Sequence, residues 1–196
     1  VPEPASERET INMQYVALFR GINVGGKNIV KMAALRQLFL NLGLHKVQTY
    51  IQSGNVAFES DLDELSLLDI IYAGFDEHFG FQCDVMMRNI DEMRFLIEQL
   101  PITPAEKAAA ELADPKTEHL YVYFFSDLSK QSVIDAVYRK YEGEDILRKG
   151  TRELYFLCHQ SVRNSKLAAA IPKNFGTSTA RNWKTVCRLY NMLEAL

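Results

Sequence analysis

Two kinds of apolar segment alternate along this chain, in an order that leaves few folds open. Residues 15–20 form an apolar run of strand type. Met32, Leu35, Leu38, Phe39 and Leu42 then recur at helical spacing, with Gly43 placed to end the helix. Residues 47–51 and 56–58 are short strand candidates around Gln52-Ser53-Gly54-Asn55, a hairpin-like turn. Leu65, Leu68, Tyr72, Phe75 and Phe79 make a helical stripe closed by Gly80. Residues 81–87 read as the next strand. Ile90, Met93, Leu96, Ile97 and Leu100 mark a further amphipathic helix before Pro101. Strand, helix, strand, strand, helix, strand is the split βαβ, or ferredoxin-like, order, which gives an antiparallel sheet with both helices on one face.

A similar order begins again after residues 101–117, a stretch with three prolines and an Ala/Glu-rich patch over 106–113 that suggests a short helix. Residues 119–125 read as a strand, and Val133, Val137 and Tyr141 mark a helix. Residues 145–148 and 153–158 flank Lys149-Gly150-Thr151-Arg152 as a hairpin. Residues 162–170 and 180–196 read as helices. The expected fold is therefore α+β: two ferredoxin-like, βαββαβ-type units with helices packed on one face of each sheet. A C-terminal helix stands where the last strand of the second unit would be. The division is 1–12 as a disordered leader or cloning remnant, 13–100 as the first unit, 101–117 as linker and 118–196 as the second unit. No residue-level repeat is evident, so the two halves resemble each other in element order alone.

Composition removes several functions. Hydrophobic residues make up 47% and charged residues 24%, which suits a folded globular chain rather than a disordered one. The net charge of -3 is low for a dedicated nucleic-acid binder. The 3 cysteines, Cys83, Cys158 and Cys187, are widely spaced, and the 4 histidines do not cluster. Neither a disulfide framework nor a metal site is expected. Cys83 and Cys158 each fall in apolar strand-like runs, where a buried inert thiol is the expectation. No apolar run approaches the roughly 20 residues that span a bilayer, so a cytoplasmic protein without a membrane partner is expected.

Polar chemistry gathers in three places. The first is the loop after the first strand: Arg20, Asn23, Lys27 and Asn28 interleaved with Gly21, Gly25 and Gly26. Glycines permit positive φ and let backbone N–H groups approach an anion. The loop is neither a Walker A motif nor GxGxxG, so no nucleotide is specified. The second is the turn carrying Ser53 and Asn55. A nucleophilic serine there needs a base within reach, and turn chemistry alone accounts for Ser, Gly and Asn. The third is the run from Thr177 through Thr179, Arg181 and Asn182 to Val186. There Ser178 or Thr179 is expected to cap a helix whose first turn holds Arg181, an anion-binding arrangement in a place where the dipole disfavours a cation. Tyr15, Phe19 and Phe58 could form a base-stacking sheet of the RNA-recognition type, or simply pack a core.

Three blocks together resemble the bacterial family known as domain of unknown function 1697. They are Arg20-Gly-Ile-Asn-Val-Gly-Gly-Lys-Asn28 followed by Met32 and Leu35-Arg36; Thr49-Tyr-Ile-Gln-Ser-Gly-Asn-Val56 with Phe58; and Thr179-Ala-Arg-Asn-Trp-Lys-Thr-Val186 with Leu189. Ala180 departs from the threonine-like residue expected before the arginine. The resemblance runs from Met13 to the C-terminus and implies a cytosolic bacterial protein of two ferredoxin-like units. It implies no activity, substrate or cofactor.

The family's polar residues coincide with the three clusters, which leads to a geometric expectation. Arg20, Asn23, Gly25, Gly26, Lys27, Ser53, Asn55, Thr179, Arg181 and Asn182 are expected to meet as one pocket between the two halves, holding a small anionic or nucleotide-like ligand. Three readings compete with it. One is an enzyme of group-transfer type, one a nucleic-acid binder using Arg20, Lys27, Lys31 and the basic face of the last helix. The last is a structural role in which Arg20 or Arg181 caps carbonyls between the halves.

Overall fold

The computed structural model describes residues 12–141 and 143–196, so the predicted leader lies almost wholly outside the described residues. Two four-stranded antiparallel sheets are built in the same way. The first comprises β1 (Met13–Phe19), β2 (His45–Tyr50), β3 (Asn55–Ser60) and β4 (Val85–Asn89), in the order β2-β3-β1-β4. Helices α1 (Met32–Asn41) and α2 (Glu64–Phe79) complete the ferredoxin-like unit. Asp63 caps α2 by accepting from the Ser66 N–H, and Gly80 ends it in the left-handed conformation that glycine adopts without a Cβ penalty. The helix α3 (Ile90–Glu98) follows, with Asn89 and Glu92 forming a capping box.

The second sheet comprises β5 (Leu120–Phe125), β6 (Ile146–Lys149), β7 (Glu153–Leu157) and β8 (Ser178–Asn182), in the order β6-β7-β5-β8. Its helices are α5 (Gln131–Tyr138) and α6 (Lys166–Asn174), after α4 (Pro104–Ala113) in the connecting stretch. The chain ends its described structure with α7 (Trp183–Glu194).

One expectation is corrected here. The fourth strand of the second unit is present: residues 178–182 pair antiparallel with β5, Val122 standing opposite Arg181. Residues 180–182 are therefore strand, and α7 begins at Trp183 with Asn182, not Ser178 or Thr179, as its cap. The short, hydroxyl-rich segment carries too little apolar alternation to read as a strand; its neighbour β5 decides its conformation. Cys83 likewise precedes β4 rather than lying within it.

Strand alternation sorts the core into three layers. Tyr15, Ala17 and Phe19 face α1 and α2, packing with Phe58, Phe39 and Phe75. Tyr123 and Phe125 face α5 and α6. The opposite faces meet each other: Val16 and Leu18 share one cluster with Leu120, Val122 and Phe124, together with α3 and α7. Helix α7 lies between the sheets, packing on β1 and β3 of the first and on β5 and β8 of its own, while α3 packs on β1, β4 and α7; the Tyr155 hydroxyl on β7 donates to the Leu96 carbonyl of α3 at 2.8 Å. With Tyr15, Phe19 and Phe58 all buried, no base-stacking sheet face is presented there.

The connecting helix α4 is held to the second sheet by a bidentate ion pair. Arg148 donates to both Glu106 oxygens, at 2.6 and 2.8 Å. The Arg148 guanidinium, together with the Thr103 N–H, holds the Glu106 carboxyl at about 2, well below the carboxylate range. A carboxyl lowered by folding stabilises fully above its unfolded value and loses that contribution as pH falls toward the folded one. Amide protection of α4 is therefore expected to be complete at about pH 5 and to fall between about 4.5 and 2. Hydrogen exchange of α4 peptides across that range measures this, and Arg148→Met should remove the dependence.

Candidate functional site

The loop after β1 is a small hairpin finger. The Asn23 N–H donates to the Asn28 carbonyl at 3.0 Å and the Lys27 N–H to the Val24 carbonyl at 3.1 Å. Gly25 and Gly26 sit between them at φ 59 and 74, the double positive φ that a two-residue type I′ turn requires. Asn23 anchors the finger: its side-chain amide donates to the carbonyls of Val30 and Gln52, both at 2.9 Å, and its oxygen accepts from the Val30 N–H. The finger is thereby tied to the Ser53 turn. Val24, Gly25, Gly26 and Lys27 at its tip are exposed.

Arg181 ties both to β8. Its Nε donates to Asn55 Oδ1 at 2.6 Å, and Nη1 to the Thr179 hydroxyl at 2.7 Å and the Ala180 carbonyl at 2.8 Å. Nη2 donates to the carbonyls of Phe19 and Ser53 at 2.9 and 3.0 Å, and at 3.3 Å to that of Gly54. The Thr179 hydroxyl donates to the Phe19 carbonyl at 3.4 Å. The predicted convergence of Asn23, Ser53, Asn55, Thr179 and Arg181 is thus observed. Arg181, however, is buried in a strand rather than exposed on a helix, and its donors are turned inward onto the chain. Asn182 serves as the α7 cap, accepting from the Thr185 N–H at 2.9 Å.

Gly54 is required at this junction. It has φ +78, and a Cβ there would lie 2.4 Å from Ile22 Cδ1 and 2.9 Å from Phe19 Cβ. Arg20 stands at the rim, where it pairs with Asp84 at 3.1 Å and is about half exposed. Its backbone carbonyl accepts from Cys83 Sγ at 3.0 Å. Burial pushes the Cys83 thiol up to about 11, so at neutral pH it is a thiol and not a nucleophilic thiolate. Beside it opens a cleft of about 750 Å³, bounded by Tyr72, Phe75, Asp76, Gln82, Cys83 and Asp84.

A residue-level repeat emerges from the register. Val16 faces Arg88 as Val122 faces Arg181; Leu18 faces Asn55 as Phe124 faces Glu153. Arg88 at the end of β4 is the counterpart of Arg181 at the end of β8. Each reaches into the other unit: Arg88 donates to the carbonyls of Phe125 and Arg152 at 2.8 and 2.9 Å, and to that of its own neighbour Met87 at 2.6 Å. The difference lies in charge. Arg88 Nε meets the Glu153 carboxylate at 2.7 Å, and Arg152 beside it pairs with Glu64 and Glu92. Arg181 meets only the neutral Asn55 in that position. Among the described residues it enters no ion pair. Burial pulls its guanidinium down to about 10, which leaves it a cation at neutral pH. Arg88, Arg152 and Glu153 were not among the sequence candidates. The signal was the recurrence of Arg-Asn immediately before an amphipathic helix, Arg88-Asn89-Ile90 and Arg181-Asn182-Trp183.

The family model described as "Protein of unknown function (DUF1697)" matches residues 13–155. The chain belongs to this family. The match covers the finger and the Ser53 turn and stops before β8, so the third block lies beyond it. Among solved structures, the chain is similar to the conserved bacterial protein SP0830 from Streptococcus pneumoniae, at 26% identity and a TM-score of 0.73, covering 93% of this chain and 99% of that one. No curated protein matches the sequence. Among the described residues, no group of three or more His, Cys, Asp or Glu could hold a metal ion, and no helix is long and apolar enough to cross a membrane.

The two seams predict unequal costs. Arg88→Met strands a buried carboxylate, which costs about 3–5 kcal/mol. Arg181→Met strands only neutral acceptors, at about 1–3 kcal/mol. Urea unfolding should rank them in that order, with Arg88→Met/Glu153→Met recovering part of the loss. Gly54→Ala is expected to cost about 2–4 kcal/mol from left-handed strain and overpacking together.

Proposed function

We propose that this DUF1697 protein binds a small anionic ligand at the mouth of the seam between its two units, with Arg20, Lys27 and the exposed amides of Gly25 and Gly26 as the contacting groups. The observation that carries this reading is the uncompensated charge of Arg181. A buried cation is costly without a countercharge, and the counterpart position supplies one in Glu153. Here Asn55 stands in its place, leaving the Arg181 charge uncompensated beneath a rim that holds Lys27 and Arg20, the latter paired at the surface with Asp84. Low-dielectric surroundings extend the Arg181 potential further than water would allow. Arg181 acts by field and by fixing the two turns, while the finger offers free N–H groups in a glycine turn.

Catalysis finds less support. The Ser53 hydroxyl accepts from the Asn55 amide at 3.1 Å, and among the described residues no histidine or carboxylate bonds to it. A nucleophilic serine needs such a base.

Titration calorimetry with inorganic phosphate at low ionic strength tests the reading. Arg20→Ala and Lys27→Ala are each expected to weaken binding about tenfold, equivalent to 1.4 kcal/mol. Asn55→Asp, which supplies the missing countercharge without touching the rim, should weaken it comparably while the protein still melts cooperatively. Added salt should weaken it further. Absence of phosphate binding, or binding indifferent to all three substitutions, overturns the proposal.

A further inference from the structure

We infer that the ligand is a mononucleotide, its phosphate at the Arg20 rim and its base in the cleft between α2 and the segment leading into β4; this deepens the anion-site reading and rests on it. The cleft is contiguous with the rim. Asp84 lines it while pairing with Arg20, and the Arg20 N–H donates to the Asp84 carbonyl at 2.9 Å. Its volume of about 750 Å³ lies in the range of small-molecule sites.

The walls specify what enters. Phe75 forms a buried apolar floor, and Tyr72, 40% exposed, presents an aromatic ring along one side. The Tyr72 hydroxyl is fixed by donating to the Val85 carbonyl at 3.2 Å, which holds the ring in place. Aromatic surface of this kind stacks a planar heterocycle. Asp76 and Gln82 are exposed at the edge, and neither side chain hydrogen-bonds within the described residues. A second anion would be repelled by the unpaired Asp76, so the group occupying the cleft must bring hydrogen-bond donors, while the phosphate takes the place of Asp84 on Arg20. A carboxylate accepts best from two adjacent N–H groups in bidentate geometry, and the guanine Watson–Crick edge carries such a pair. One molecule that unites a dianion for the rim with a flat, donor-bearing ring for the cleft is a nucleoside monophosphate, with guanine the preferred base.

Calorimetry on the full chain with GMP, AMP, CMP, UMP and inorganic phosphate tests this. GMP is expected to bind at least tenfold more tightly than UMP or phosphate. Asp76→Asn, an exposed helical position, should abolish that preference while leaving phosphate binding intact; Arg20→Ala should weaken every nucleotide. Phosphate binding equal to GMP, or a GMP preference that survives Asp76→Asn, overturns the base assignment and leaves the anion site standing. If neither nucleotides nor phosphate bind, both fail.

Discussion

Two arginines at the ends of equivalent strands hold this fold together across its seam. Each leaves its own sheet, enters the partner unit and collects the carbonyls at the end of a β1-type strand and of the following hairpin. The Gly54 and Arg152 carbonyls already accept from the Phe19 and Phe125 N–H groups; the guanidinium adds a second donor to each and serves the Phe19 and Phe125 carbonyls as well. The planar guanidinium, with five donors in a fixed fork, satisfies several at once, which a lysine cannot do. Arg181 thereby joins β8 to the end of β1 and to the Ser53 turn, and Arg88 joins β4 to the end of β5 and to the hairpin before β7.

The repeat is symmetric in geometry and asymmetric in charge. At one seam, Glu153, Glu64 and Glu92 close an ionic network around Arg88 and Arg152. At the other, glycine replaces Arg152, asparagine replaces Glu153, and a glycine-tipped finger stands at the opening. Duplicated architecture with one end neutralised and the other left positive is what directs attention to the Arg20 side. The same comparison explains why a dense polar motif need not touch a ligand: Asn23, Asn55 and Arg181 are occupied in holding turns that present other groups.

Much of the architecture was legible from periodicity. The helical stripe from Ile90 to Leu100 and the apolar strands β1 and β5 announce themselves because burial imposes a period; α2 was legible as a helix but not in its buried face, which is Leu67, Ile71 and Phe75 while Leu65 and Tyr72 are exposed. β8 did not announce itself, because Ser178, Thr179 and Arg181 carry no apolar alternation; the edge of β5 gives that segment its conformation. The polar clusters were legible as a set, and their meeting was expected. Their roles were not. Whether an arginine faces solvent or the partner unit depends on a neighbour more than 120 residues away, as the Arg181–Asn55 separation of 126 shows. Cleft residues such as Tyr72 and Asp76 were hidden inside an ordinary amphipathic helix pattern.

The position of α7 between the two sheets also bears on how the chain acquires its structure. During synthesis the inner face of the first sheet, with Val16, Leu18 and Ala57, emerges long before α7, which covers it. Until then α3 alone covers part of that face. Contacts so distant in sequence slow folding and prolong the exposure of sticky surface. The early half is thus completed only by the late one.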